Sequence, residues 1–359
     1  MVKLIAGLMP VLIWVLPLPA FAETLRIATY NIEMSRAGPG LLLHDLQKVD
    51  DPKIMAAVQV VAALRADVLV LTGFDFDFDQ VALAAFCDAL AAKGLVYPYR
   101  FAARPNTGLV TGLDLDGDGM LGGAGDAQGW GRFSGQGGMA VLSSLPIRTG
   151  EVRDFSDFLW RDLPDALLFD GMSPEAVAVQ RLSTTGHWDV PVELPGGGAL
   201  HLLAWYATPP VFDGPEDRNG RRNHDEAAFW AALLDGALPL AAPDAPFVVI
   251  GDGNLDPADG DGLADGIKAL LHHSRLQDPE PRGTSARQEP EQASDAALDT
   301  ADFSAKNGPG GLRVDYVLPS ADLVVSGSGV MWPDPSDPMA QVLATASRHR
   351  PVWVNITLP

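Results

Sequence analysis

The feature that most constrains this fold is an uninterrupted apolar run, Phe247-Val-Val-Ile250, stopped by Gly251 and followed at once by Asp252, Asn254 and Asp256. Four to six apolar residues ended by glycine predict a buried strand, with the polar groups emerging together where it stops. Side chains at i and i+2 of an extended segment share a face, so Asp252 and Asn254 can address one ligand. A carboxylate beside a carboxamide suits a hard cation, or a water that must be held and deprotonated. A strand that simply runs into an Asx-rich turn would use the same residues.

The rest of the chain repeats this grammar. Leu25 to Asn31 alternates as a strand does and ends in Asn31 and Glu33, again two apart and on one face. Pro52 to Leu64 has helical spacing, Ala66 to Thr72 is a second buried strand, and Val81 to Gly94 is a core helix. Between the last two, Asp75, Asp77 and Asp79 project to one side. Gly138 to Ser143 and His201 to Tyr206 are further strands, and Ala227 to Leu234 and Ile267 to His272 further helices. Leu312 to Pro319 is a strand carrying Asp315 in its middle, costly unless the carboxylate finds a partner. The final strand opens on Ser347-Arg-His349.

Two segments hold other chemistry. Residues 107–131 are a Gly/Asp-rich insertion in which Asp114, Asp116 and Asp118, with Gly119, match the first half of a calcium loop. The twelfth position is Gly125 rather than the bidentate Glu, and Asp126 follows one place later. A bound Ca2+ would order a loop too long to hold itself; a solvated acidic turn is the other reading. Arg218, Arg221, Arg222 and His224 cluster among acids, either as a solvated, mutually paired surface or as a grip for an anionic substrate, since guanidinium matches phosphate geometry. His187, beside Trp188 and Asp189, is a further binding candidate, although a lone histidine next to tryptophan is usually structural.

Composition bounds the function. The formal net charge of −21 disfavours long nucleic acid, which is bound through Lys and Arg, and suits a small phosphate-containing substrate or divalent cations. Lys3, the apolar stretch from Val11 to Leu18 and Ala20-Phe21-Ala22 read as a signal peptide over 1–22, too short and proline-broken to span a membrane. The mature chain, 23–359, then reads as one exported domain and a monomer, in the periplasm or the medium. Cys87 is the only cysteine, so no internal disulfide can form.

In order along the chain, Ala28-Thr-Tyr-Asn31, Asp67-Val-Leu-Val-Leu, Gly138-Met-Ala-Val-Leu-Ser, Gly251-Asp-Gly-Asn254, Arg313-Val-Asp-Tyr and Ser347-Arg-His349 resemble the motifs of the endonuclease/exonuclease/phosphatase superfamily. The resemblance implies an α/β fold, a four-layer sandwich of two packed mixed β-sheets flanked by helices. It implies a phosphoesterase using Mg2+ or Mn2+, with Asn31 and Glu33 at the metal, Asp252 as base, Asn254 on phosphate or metal, and His349, oriented by Asp315, on the phosphoryl oxygen. Three positions depart from the family pattern. Where a metal-binding Glu is expected the chain has Thr72-Gly73, and Asp75, about 7 Å further along the strand, is the possible substitute. A family histidine is Tyr206, and the acid before the last histidine is Arg348. A catalytically impaired, calcium-stabilised binding protein on the same fold, and a secreted nuclease, are therefore the alternatives to an active phosphoesterase.

Overall fold

A computed structural model describes residues 24–358 except 49, 245, 285–287 and 305–307. The expected signal peptide lies outside the described residues. Two mixed sheets carry the fold. The first runs β12 (Val324–Val330), β13 (Val352–Thr357), β1 (Thr24–Met34), β2 (Val68–Phe74), β4 (Gly138–Ser143), β3 (Tyr99–Phe101). Only β1 and β2 are parallel within it; the other neighbours are antiparallel. The second runs β11 (Asp315–Pro319), β8 (Phe247–Asp252), β7 (Ala199–Tyr206), β6 (Gly186–Glu193), β5 (Arg153–Asp154), and here only β7 and β8 are parallel. A two-residue pair, β9 (Ala301–Asp302) with β10 (Gly311–Leu312), stands apart from both.

Each strand divides its side chains between two cores, as the period of two requires. Ile27, Val68, Val70 and Val141 of the first sheet pack against Val190, Leu202, Val248 and Ile250 of the second, making the layer between the sheets. The opposite faces are covered by helices. Tyr30, Ile32 and Leu71 meet α2 (Pro52–Leu64), α3 (Val81–Ala91) and α7 (Pro338–Ala346). Leu203, Trp205, Phe247 and Val249 meet α5 (Arg218–Leu234) and α6 (Asp265–Leu271). The result is the four-layer α/β sandwich. It also explains why residues 247–250 show no polar alternation: both faces of β8 are buried, so no position is left for water.

Local signals set several boundaries. Asp51 caps α2 by accepting from the Ile54 amide at 3.0 Å, Pro52 opens the helix, and Arg65 in the left-handed region closes it. Two short helices, α1 (Leu41–Gln47) and α4 (Pro174–Val179), and 3-10 turns at residues 124–126, 149–151, 160–162 and 296–298 complete the described elements. The helix expected from Ala227 begins instead at Arg218, so the charged run 218–226 is its first half. There Arg222, Asn223, Asp225 and Glu226 are buried rather than solvated.

Candidate active site

The site forms where the ends of the two sheets meet. Asn31, near the end of β1, donates from Nδ2 to Oδ2 of Asp252, at the end of β8, at 2.7 Å, and to the Tyr206 hydroxyl at 3.3 Å. One carboxamide thus ties the first sheet to the second. A second tie joins His349, just before β13, to Asp315, the first residue of β11, through Nδ1 and Oδ2 at 2.9 Å. Asp315 and Asp252 are direct partners in the β11–β8 register, which brings two carboxylates and the imidazole together. Ligand atoms of Asp252, Asp315 and His349 all lie within 4.8 Å of one another, and all three residues are buried.

Neighbours hold each group. The Asn254 amide donates to Asp252 Oδ1 at 2.8 Å, while the Asn254 carboxamide donates to the carbonyl of Ala207 at 2.8 Å. Thr300 donates its hydroxyl to Asp315 Oδ2 at 2.9 Å and accepts the amides of Val314 and Asp315. Ser347 donates to the carbonyl of Asn31 and accepts the amide of His349. Glu33 and Asn254, with φ of 47° and 50°, both lie in the left-handed region beside the site, where backbone strain persists only if the surroundings impose it.

Burial and charge set the proton affinities. Asp252 is pushed up to about 7, first by burial and then by the Asp315 carboxylate facing it. Burial alone would depress His349, but the carboxylates of Asp315 and Asp252 outweigh it and hold the ring up at about 9. At neutral pH the centre therefore holds a charged imidazolium beside Asp252, whose ionised form burial disfavours.

The residues expected at a metal are placed differently. Glu33 is bound by Arg348 through the backbone amide at 3.0 Å, Nε at 2.7 Å and a terminal guanidinium nitrogen at 2.5 Å, with Lys53 at 3.8 Å. These contacts hold its carboxyl below the ordinary range although burial acts the other way. Asn31 Oδ1 accepts the Glu33 amide at 3.1 Å. Asp75 accepts the amides of Arg36 and Gly137, both at 2.8 Å, and so braces two loops. Gly73 has φ of 69°, and a Cβ there would stand 2.5 Å from Asn31 Oδ1, so the position admits no side chain without displacing Asn31. A divalent ion needs several oxygens with free lone pairs, but Arg348 occupies both Glu33 oxygens, the Glu33 amide occupies Asn31 Oδ1, and Gly73 offers no oxygen from a side chain. The residues around Asn31 and Glu33 do not fit one.

The other candidates spread across the molecule. Asp114, Asp116 and Asp118 form an exposed group with ligand atoms within 4.8 Å. Asp126 is buried apart from them and accepts the amides of Leu115 and Gly123. Arg218 donates to the Leu115 carbonyl and Gln180, pinning the insertion; Arg221 donates to the Glu216 carbonyl. Arg222 is spent on the carbonyls of Leu182, Gln128, Arg181 and Ser183, and burial lowers it to about 10. His187 is enclosed by Trp205, Phe229 and Trp230, bonds Ser183 and the Glu226 carbonyl, and is lowered by burial to about 4. Tyr206, Thr300, Ser347 and Phe303 stand at the site and carry no sequence expectation of a positive role. Ser347 alone had a signal, its place in the Ser-Arg-His run.

A family model described as the endonuclease/exonuclease/phosphatase family matches residues 28–349, from the first strand to the site histidine. The chain belongs to this family. Membership puts it among hydrolases acting on phosphate ester bonds. Solved structures of similar fold include the family protein from Beutenbergia cavernae, at 19% identity and a TM-score of 0.54 over 93% of this chain and 72% of that one. Family proteins from Leptotrichia buccalis and Bacteroides vulgatus align at 14% and 12% identity, each with a TM-score of 0.52, over 93% and 94% of this chain and all of theirs. No curated protein matches the sequence. Among the described residues no helix is long and apolar enough to cross a membrane.

Proposed function

We propose that the protein hydrolyses a small phosphodiester or phosphomonoester at the Asp252–Asp315–His349 centre. The observation that carries this reading is the His349 Nδ1 to Asp315 Oδ2 bond at 2.9 Å, with Asp252 Oδ2 4.0 Å from the same nitrogen. It leaves His349 Nε2 available to donate to a phosphoryl oxygen, and Asp252 to take the proton of an attacking water. The water oxygen bonds to phosphorus, the bond to the leaving oxygen breaks, and solvent returns a proton to the leaving group. Asp315 keeps the imidazole oriented and charged, and Asn254 borders the phosphoryl position.

The metal-free description rests on the donor count around Glu33; Mg2+ or Mn2+ takes no part in any step above. Ca2+ at Asp114, Asp116 and Asp118 belongs to this reading as a structural ion that orders the insertion. Export as a soluble monomer, from the 1–22 segment, completes it. The deciding experiment is turnover of a chromogenic phosphodiester and a chromogenic phosphomonoester by wild type and His349→Ala. Wild-type turnover lost in the variant supports the reading; turnover unchanged in the variant removes His349 from the mechanism, and no wild-type turnover of either ester leaves the calcium-stabilised binding protein.

A further inference from the structure

The groups around Glu33 carry more positive charge than Glu33 can neutralise. Arg348 forms a two-nitrogen contact with its carboxylate, Lys53 lies 3.8 Å from it, and His349 follows Arg348 in the chain. Arg350 stands behind them, its guanidinium bound to the carbonyls of Ser347, Arg348 and His349. The acids facing this group are Glu33 itself, Asp302 beside Arg350 and, beneath them, Asp252 and Asp315. In a chain of net charge −21, four basic side chains thus gather beside as many acids at the mouth of the acid–histidine centre.

Arg348 is held and yet open. Its side chain is 59% exposed, its guanidinium lies over the Phe303 ring at 5.1 Å, and that ring meets His349 edge-on at 5.5 Å. Of the five guanidinium hydrogens, those on Nε and one terminal nitrogen face Glu33; the second terminal nitrogen has no hydrogen-bond partner among the described residues. A guanidinium fixed on one edge by a carboxylate, backed by an aromatic face and free on the other edge is pre-organised for an anion with two acceptor oxygens. The free donors lie one residue from His349.

We infer that the Arg348 guanidinium, held by Glu33 and Phe303, supplies the positive charge that receives the phosphoryl group, in the place where a divalent ion would be expected. The inference rests on the phosphoesterase reading and deepens it. Gly73 removes the possibility of a carboxylate near the end of β2, and Arg348 occupies the one at Glu33; together the two departures from the family pattern remove two acids and add a permanent cation. Phosphate recognition at this site is therefore independent of divalent metal.

The test is calorimetric titration of chelator-treated protein with inorganic phosphate, with and without excess Mg2+ or Mn2+, for wild type, Arg348→Ala and Arg348→Lys. Expected is binding by wild type that added metal leaves within about twofold, and that Arg348→Ala weakens roughly tenfold or more, the loss of one charge-assisted contact. Arg348→Lys, which keeps the charge and loses the fork, should lie between and guards against a folding defect in the alanine variant. Binding that requires Mg2+ or Mn2+, or that is unchanged in Arg348→Ala, overturns the inference. Turnover of a chromogenic phosphodiester in chelator is the parallel readout: activity restored only by Mg2+ overturns the role of Arg348 and leaves the hydrolase reading standing. Absence of turnover with and without metal removes the hydrolase reading, while the phosphate titration still judges Arg348.

Discussion

His349 is the residue on which the chemistry converges, because its ring nitrogen is shared between the fields of two buried acids. Replacing it with alanine is expected to cut phosphodiester turnover by about 100-fold or more, the usual worth of a positioned proton donor. Asp315→Asn should lose nearly as much while leaving Asp252 in place, since the amide can orient the ring but cannot hold it charged. The pH profile follows from the signs. Asp252 acts as base only when ionised, so activity rises as pH passes upward through about 7. His349 donates only when charged, so activity falls as pH passes through about 9. A bell in kcat/KM between those values is expected, its limbs belonging to the coupled pair rather than to single residues. A profile flat from pH 6 to 10 would contradict both assignments.

Strand ends and the first half of one helix determine where these residues stand. Gly73 closes β2 with a φ of 69° and no room for a Cβ beside Asn31. Gly73→Ala is therefore expected to lower unfolding free energy by about 1–3 kcal/mol and to reduce turnover by shifting Asn31, both measurable by urea denaturation and steady-state kinetics. In α5, Arg222 satisfies four carbonyls and lies near Glu226, which accepts the amides of Thr184 and Thr208 and is raised by burial to about 7. Arg222→Ala should cost about 3–5 kcal/mol of stability, because it leaves those groups uncompensated. A change in KM without a change in stability would instead return Arg222 to the substrate.

Over the whole molecule, the two sheets make the site by meeting at their ends, and the 107–131 insertion is fastened to them by Arg218. If the insertion holds Ca2+, wild type should gain melting temperature with calcium by the mass-action relation, and Asp116→Ala should gain none. An equal melting temperature for both proteins in chelator and in calcium would remove the ion. The acidity of the chain predicts further that duplex DNA competes poorly with a small phosphodiester, tested as inhibition of turnover at physiological salt.

Periodicity made most elements legible. Pro52–Leu64 and Gly138–Ser143 coincide with their expected limits because a proline or glycine opens each one and the apolar pattern is unbroken. Helix α1, helix α7 and strand β12 drew no expectation: the first and second are short, and β12 is rich in Gly and Ser with few apolar side chains. The start of α5 was missed for the opposite reason, since Arg222, which read as solvated, is buried against carbonyls 39 to 94 residues away in the chain. At the site, residue type and the spacing of two along strands, both local properties of the chain, drew attention to Asn31, Asp252 and Asn254; Asp315 stood out as a charge inside a strand, and its pairing with His349 was implied by the family resemblance. That Asp75 braces loops, that Glu33 is claimed by Arg348, and that Thr300 holds the acid and Ser347 the strand beside the histidine depend on partners 15 to 316 residues distant. Sequence determines which groups a strand end can present; only the packing of one sheet on the other decides which charge each of them meets.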